Sequence, residues 1–238
     1  MLVQAARAYF RKIPGIVIRR GFGFLFCIGS FVALIWSLWP LPAQTRSLSI
    51  SPAEMLPEEL TSAVTGDLLA VAEPRLLHLE WPAAIRSGEL ASVRLRVSPA
   101  KGEGSSSQIS PTAGEAFSVL AEARLELPGI PHTPTGEVSQ GFFPGRPVIF
   151  IWDLQPNRLG GEDGTVWLHL SFIPAAGGPA MRQVLTAQRI EIQVIDFFGL
   201  SGPWARALGS AGVVVGAMLA LDGVFIWLWS RLDRKSGV

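Results

Sequence analysis

Residues 117–127 read Phe-Ser-Val-Leu-Ala-Glu-Ala-Arg-Leu-Glu-Leu. Phe117, Val119, Ala121, Ala123, Leu125 and Leu127 fall on every second position, with Ser118, Glu122, Arg124 and Glu126 between them. A repeat of two is the period of a β-strand with one face on a core and the other in water. The same alternation recurs on both sides of this stretch. Leu77, Leu79 and Trp81 alternate with His78 and Glu80, and Val93, Leu95 and Val97 with Arg94 and Arg96. Further on come Val148, Phe150, Trp152 and Leu154; then Val166, Leu168, Leu170 and Phe172; then Ile190, Ile192 and Val194.

Turn-forming stretches separate these runs: Ser87-Gly88, the serine-rich segment from Lys101 to Gly114, Pro128 to Gly136, Asn157 to Gly164, and Pro174 to Pro179. A seventh strand is expected at Leu48 to Ile50 or Gln140 to Phe143. About seven antiparallel strands, each with one apolar face, are best buried as two facing sheets, which predicts an immunoglobulin/fibronectin-III-like β-sandwich. The domain has no cysteine pair, since the chain has a single cysteine, Cys27, so it holds together by packing alone.

The flanks are different. Gly21 to Trp39 carries no charge, and Ala207 to Trp229 carries one, Asp222. At about 1.5 Å per helical residue, either stretch suffices for a hydrocarbon layer roughly 30 Å thick. Composition agrees: of 238 residues 49% are apolar and only 16% charged, against about 25% charge in soluble domains, and the mean hydropathy is +0.36. The predicted fold class is therefore a membrane-anchored all-β protein, a sandwich between two transmembrane α-helices. A cleaved signal peptide is the competing reading of the first stretch, with Leu41-Pro42-Ala43 as the cleavage site. The apolar run is longer than the roughly 7 to 15 residues of a signal core, which favours an uncleaved anchor.

Charge sets the expected orientation. Arg7, Arg11, Lys12, Arg19 and Arg20 precede the first span, and Arg231, Arg234 and Lys235 follow the second, whereas Leu41 to Ala205 carries 11 basic and 17 acidic residues. The positive-inside rule places both termini in the cytoplasm and the centre outside the cell membrane. Trp36, Trp39 and Trp204 then mark the outer interface, with Phe197-Phe198-Gly199-Leu200 as an interfacial anchor. The expected organisation is a cytoplasmic basic amphipathic segment (1–20), a first span (21–40), a linker with a short helix (41–70) and the sandwich (71–196). A juxtamembrane linker (197–206), a second span (207–230) and a cytoplasmic tail (231–238) complete it. Segment 1–20 also fits an unstructured basic tail. Within 41–70, Ser51-Pro52-Ala53-Glu54 has the capping residue, N1 proline and N3 glutamate of a helix start.

Few residues suggest chemistry. His78, His132 and His169 are far apart, with no metal-site spacing, and no nucleophile elbow, phosphate loop or dinucleotide fingerprint appears. No cofactor and no enzymatic activity are expected. The basic residues flank apolar spans rather than forming a patch on the acidic domain, so no nucleic-acid partner is expected either. The 17 arginines against 3 lysines, with one asparagine, are a composition associated with bacterial chains.

Three features remain as candidates for recognition. Asp222, nine positions before Arg231, lies about 13 Å into the second span, where a carboxyl costs about 2.5 to 3.5 kcal/mol against lipid. It should therefore be protonated or face protein or water: a contact to another membrane subunit, a proton-coupled one included, or a polar residue satisfied by Ser30, Ser37 or local water. Gly29, Ala33 and Ser37 in the first span, and Gly212, Gly216 and Ala220 in the second, form small-residue ladders suited to helix packing or self-association. Trp167 and His169 point away from the core face of their strand, as a possible surface contact or beneath a covering loop. The leading functional reading is an accessory or adaptor subunit of a membrane assembly. A ligand-sensing membrane protein and a cell-surface carbohydrate-binding module are the alternatives.

Overall fold

The computed structural model describes residues 23–56, 73–100 and 117–233, without the side chains of 219–233. The basic segment 1–20, the continuation of the short helix past Leu56, the serine-rich loop and the end of the chain after Asp233 lie outside the described residues. Contacts divide the chain into two compact units, Leu41–Ile195 and a second made of the two flanks.

The central unit is all-β, with two five-stranded sheets. The first is ordered β1 (Ala43–Ile50), β2 (Arg75–Pro82), β4 (Ala91–Pro99), β8 (Val148–Leu154), β6 (His132–Thr133). The second is ordered β3 (Ala84–Arg86), β10 (Met181–Ile195), β9 (Gly160–Pro174), β5 (Phe117–Glu126), β7 (Val138–Gly141). All pairings are antiparallel except β3 with β10. The apolar residues of each alternating run point inward and merge into one core, with Trp152, Phe150 and Phe172 among its largest buried side chains.

Every strand read from alternation is present. Both candidates for the seventh also form, as β1 and β7, and both are edge strands. β1 lies in the stretch expected as a linker. Its burial is exposed at every residue but Ile50, so it lacks the alternation that reveals a core strand. β9 starts at Gly160, inside the expected Asn157 to Gly164 turn. The glycines there do not argue against a strand, because a Cβ on Gly164 would stand 2.7 Å from the Glu126 carbonyl oxygen. Between β1 and β2, the short helix α2 (Pro52–Met55) begins at Ser51, whose N–H donates to Glu54 Oε2 at 3.0 Å.

A buried cation fixes one loop. Arg75 has no solvent exposure; its guanidinium donates to Arg146 O at 2.7 Å and Phe143 O at 2.9 Å and pairs with Glu73. It also stands 4.4 Å over the Phe142 ring, while Glu73 Oε1 accepts the Gly145 N–H at 2.6 Å. Burial lowers the Arg75 pKa from its ordinary value, and Glu73 opposes that shift.

The second unit contains helix α1 (residues 23–38) and helix α3 (Gly202–Asp233). α3 starts five residues before the expected second span, with Pro203 in its first turn and the Ala205 N–H donating to Ser201 O at 2.8 Å. Among the described residues no helix is long and apolar enough to cross a membrane, so the expected anchoring does not follow from the helices as described.

The two helices run antiparallel and meet along a seam of small residues. A Cβ on Gly209 would stand 3.0 Å from both Leu34 N and Ser30 O; one on Gly212 would collide with Ser30 Oγ; one on Gly216 would lie 2.8 Å from Cys27 Cβ. Ala33, Ser37 and Ala205 are buried here too. The large apolar side chains point outward: Phe24, Leu25, Phe26, Ile28, Phe31, Val32, Ile35 and Leu38 on α1, and Leu208, Val214, Val215 and Met218 on α3 are all exposed.

Two measurements test these contacts. Arg75→Lys, which cannot reach both loop carbonyls, should destabilise the protein by about 1–3 kcal/mol in a denaturant melt of the detergent-solubilised chain. Gly216→Cys should form an intrachain disulfide with Cys27 under mild oxidation, since an outward shift of about 1 Å brings the two Cβ atoms to bonding separation. Val214→Cys, on the outer face, should form none.

Candidate functional site

The site lies on the outer face of the second sheet. On β9, Val166, Leu168 and Leu170 turn into the core, so Trp167 and His169 project outward, half-buried. Their rings are nearly parallel, at 15°, with centroids 6.2 Å apart. Strand register supplies their neighbours: Trp167 is opposite Arg124 on β5 and Ala187 on β10, and His169 is opposite Glu122 and Val184. A register shift between Val184 and Thr186 interrupts β10 beside this pair.

Charged groups surround the rings in linked pairs. The Trp167 indole N–H donates to Glu126 Oε2 at 3.0 Å, and Glu126 Oε1 pairs with Arg124 at 3.1 Å. Arg182 pairs with Glu137 and stands 3.5 Å from Glu122 Oε2. The Arg182 hydrogen bond holds the Glu137 carboxyl below its usual range. The two rings with Arg124, Glu126, Glu137 and Arg182 line a hollow of about 400 Å³, which exposed Val184 also borders. The His169 pKa is lowered, first by burial and then by the Arg182 charge, which outweigh Glu137 and Glu122. Its Nδ1 is buried without a hydrogen-bond partner. The neutral ring is therefore the form this surface holds.

The arrangement joins a flat aromatic surface to charges that are already paired. That chemistry suits docking of a polar surface, where aromatic anchors supply contact area and pre-positioned ion pairs supply hydrogen bonds. It shows no activated nucleophile, and among the described residues no three His, Cys, Asp or Glu side chains are grouped to hold a metal. His78 Nδ1 bonds Ser47 Oγ at 2.9 Å and His132 Nδ1 bonds Ile130 O at 3.2 Å, each away from His169. Asp163, one of the acids in the Asn157 to Gly164 stretch, pairs with Arg189 at 3.0 Å on the open surface.

The other sequence candidates lie in the helical unit. Gly212 and Gly216 face α1, with Ala33 and Ser37 buried, but Gly29 is exposed with nothing near its Cβ direction. The Ser37 hydroxyl donates to Leu34 O at 2.8 Å within its own helix. Ala220 and Asp222 fall within α3, and their side chains lie outside the described residues. Alternation placed Trp167 and His169 outward but gave no sign of Arg124, Glu126, Glu137 or Arg182 as their neighbours. Those residues come from other strands and depend on register.

No family model and no curated protein matches this chain. Solved structures do. A chain of the complex between zinc 2-glycoprotein and prolactin-inducible protein from human seminal plasma matches over 48% of this chain and 89% of its own, at 14% identity and a TM-score of 0.30. A PapD-like domain of human CEP192 matches over 48% of this chain and 82% of its own, at 11% identity and 0.29. AggA, the major subunit of an aggregative adherence fimbria of Escherichia coli, matches over 65% and 96%, at 9% identity and 0.25. At such scores the fold rests on the strand order and register themselves.

Lowered His169 basicity gives a pH prediction. A group harder to protonate when folded than when unfolded favours unfolding as pH falls, so its contribution is intact above about 6.5 and is lost progressively below it. Stability should decline from pH 7 to 5, and His169→Gln should flatten part of that slope in melts across the range.

Proposed function

We propose that this chain is a two-span membrane protein that presents an immunoglobulin-like β-sandwich outside the cell membrane, as an interaction subunit of a membrane assembly. The observation that carries the membrane part is the inverted packing of α1 and α3. A helix pair in water buries its large apolar side chains and exposes polar ones. Here glycine, alanine and serine are inside, and phenylalanine, leucine, isoleucine and valine are outside. Lipid removes the penalty for that exterior, and close backbone approach supplies the contact energy between helices. The charge distribution supports cytoplasmic termini and an extracytoplasmic sandwich.

The interaction part is supported by the Trp167–His169 surface with its paired arginines and glutamates. Asp222 fits a contact with a second membrane polypeptide, because at mid-membrane depth a carboxyl is stabilised by protein partners and not by lipid. The reading is non-catalytic and requires no cofactor.

The test is site-specific photocrosslinking in intact cells. A photoreactive residue in place of Val184, bordering the hollow, should give a discrete protein adduct; one in place of Arg94, on the outer face of the first sheet, should give none. Equal labelling from both positions, or no adduct from Val184, contradicts a docking role for this face.

A further inference from the structure

Phe198 is 93% exposed, the most exposed of the large apolar side chains among the described residues. It occupies the tip of a two-residue turn closed by two hydrogen bonds, Phe197 N–H to Leu200 O and Leu200 N–H to Phe197 O, each 3.0 Å. Phe198 has φ 50° and Gly199 φ 85°. Left-handed values at both central positions are those of a type I′ turn, which favours Asn-Gly and disfavours an aromatic residue at its first position. The chain thus holds a large apolar ring in an unfavourable backbone region and points it away from every packing partner except the edge of Phe197, 5.1 Å away. Strain kept at an exposed site suggests a use for the ring outside the fold.

The surroundings indicate what that use is. Phe197 packs on Trp36 near the C-terminal end of α1, at 5.2 Å between centroids. The antiparallel seam puts this end of α1 beside the N-terminal end of α3, where Trp204 is exposed; Leu38 and Trp39 are exposed on the α1 side. One end of the helix pair is therefore ringed by aromatic side chains, continuous with the apolar exteriors of both helices. Aromatic rings at that position settle at the boundary between headgroups and acyl chains.

From this we infer that the Phe197–Leu200 turn is a lipid-interface anchor, with the Phe198 ring seated in the outer leaflet and fixing the depth and tilt of the helix pair. The inference rests on the two-span reading. Its occupant is lipid and not a protein partner, because the ring continues the apolar surface of the helices.

Spin labels report the depth directly. In a Cys27→Ser background, labels at Phe198→Cys, Val214→Cys and Leu90→Cys are compared in phosphatidylcholine vesicles, with no other protein present, by collision with oxygen and with a water-soluble nickel chelate. The expected result is an oxygen-to-nickel accessibility ratio above one at 198 and well above one at 214, against below one at 90 in the sandwich. A ratio below one at 198 with 214 still in lipid overturns the anchor and leaves the two-span reading standing. Ratios below one at both overturn the two-span reading and the anchor with it. A second variant separates anchoring from folding: Phe198→Gly should melt in detergent at or above the wild-type temperature. A clear drop would mean that the ring packs within the fold, against the inference.

Discussion

Backbone contact between two helices governs what this chain can be. Gly209, Gly212 and Gly216 bring α3 against Ser30, Cys27 and the main chain at Leu34, leaving no volume for a side chain at those three positions of α3. With small residues along the seam, most of the bulky apolar side chains among the described residues of the pair lie on the outside. An exterior of that kind is unfavourable in water by about 25 cal/mol per Å² of apolar surface and unpenalised in hydrocarbon.

The sandwich follows a different rule. Its core is large and interdigitated, it contains no disulfide, and its one fully buried charge among the described residues, Arg75, is paired with Glu73 and donates to two loop carbonyls. A sheet so packed is a rigid platform. The outer residues of β5, β9 and β10 are held at fixed separations by the ladder, which is why Trp167, His169, Arg124, Glu126 and Arg182 form one surface although they stand up to 58 positions apart in the sequence. An aromatic surface among paired charges suits recognition.

Much of this was legible in the sequence, and the failures share a cause. Period-two alternation located each strand with a core face, because burial imposes it. β1 was read only at its last three residues and β3 and β6 were not read at all: β1 and β6 bury little, and β3, with Ile85 and Arg86 buried, is too short at three residues to show a period. The start of β9 was hidden by its glycines, of which Gly164 sits where a Cβ would meet the Glu126 carbonyl. Trp167 and His169 were placed on the outer face, while their partners were invisible because register is a property of pairs of strands. The small-residue seam was read as a strict four-residue ladder. The buried positions in α3, at 202, 205, 209, 212 and 216, instead alternate steps of three and four, the natural period of a helix face. That spacing adds Ala205 and Gly209 to the seam, and Gly29 of the α1 ladder falls on the open face.

Extraction of cell membranes with alkaline carbonate tests the central claim most directly. Sheets opened at high pH release proteins held by surface charge and retain those whose apolar exterior sits among acyl chains. This chain should remain with the membrane pellet in full; its release into the supernatant would mean that the outward phenylalanines and leucines of α1 and α3 face something other than lipid.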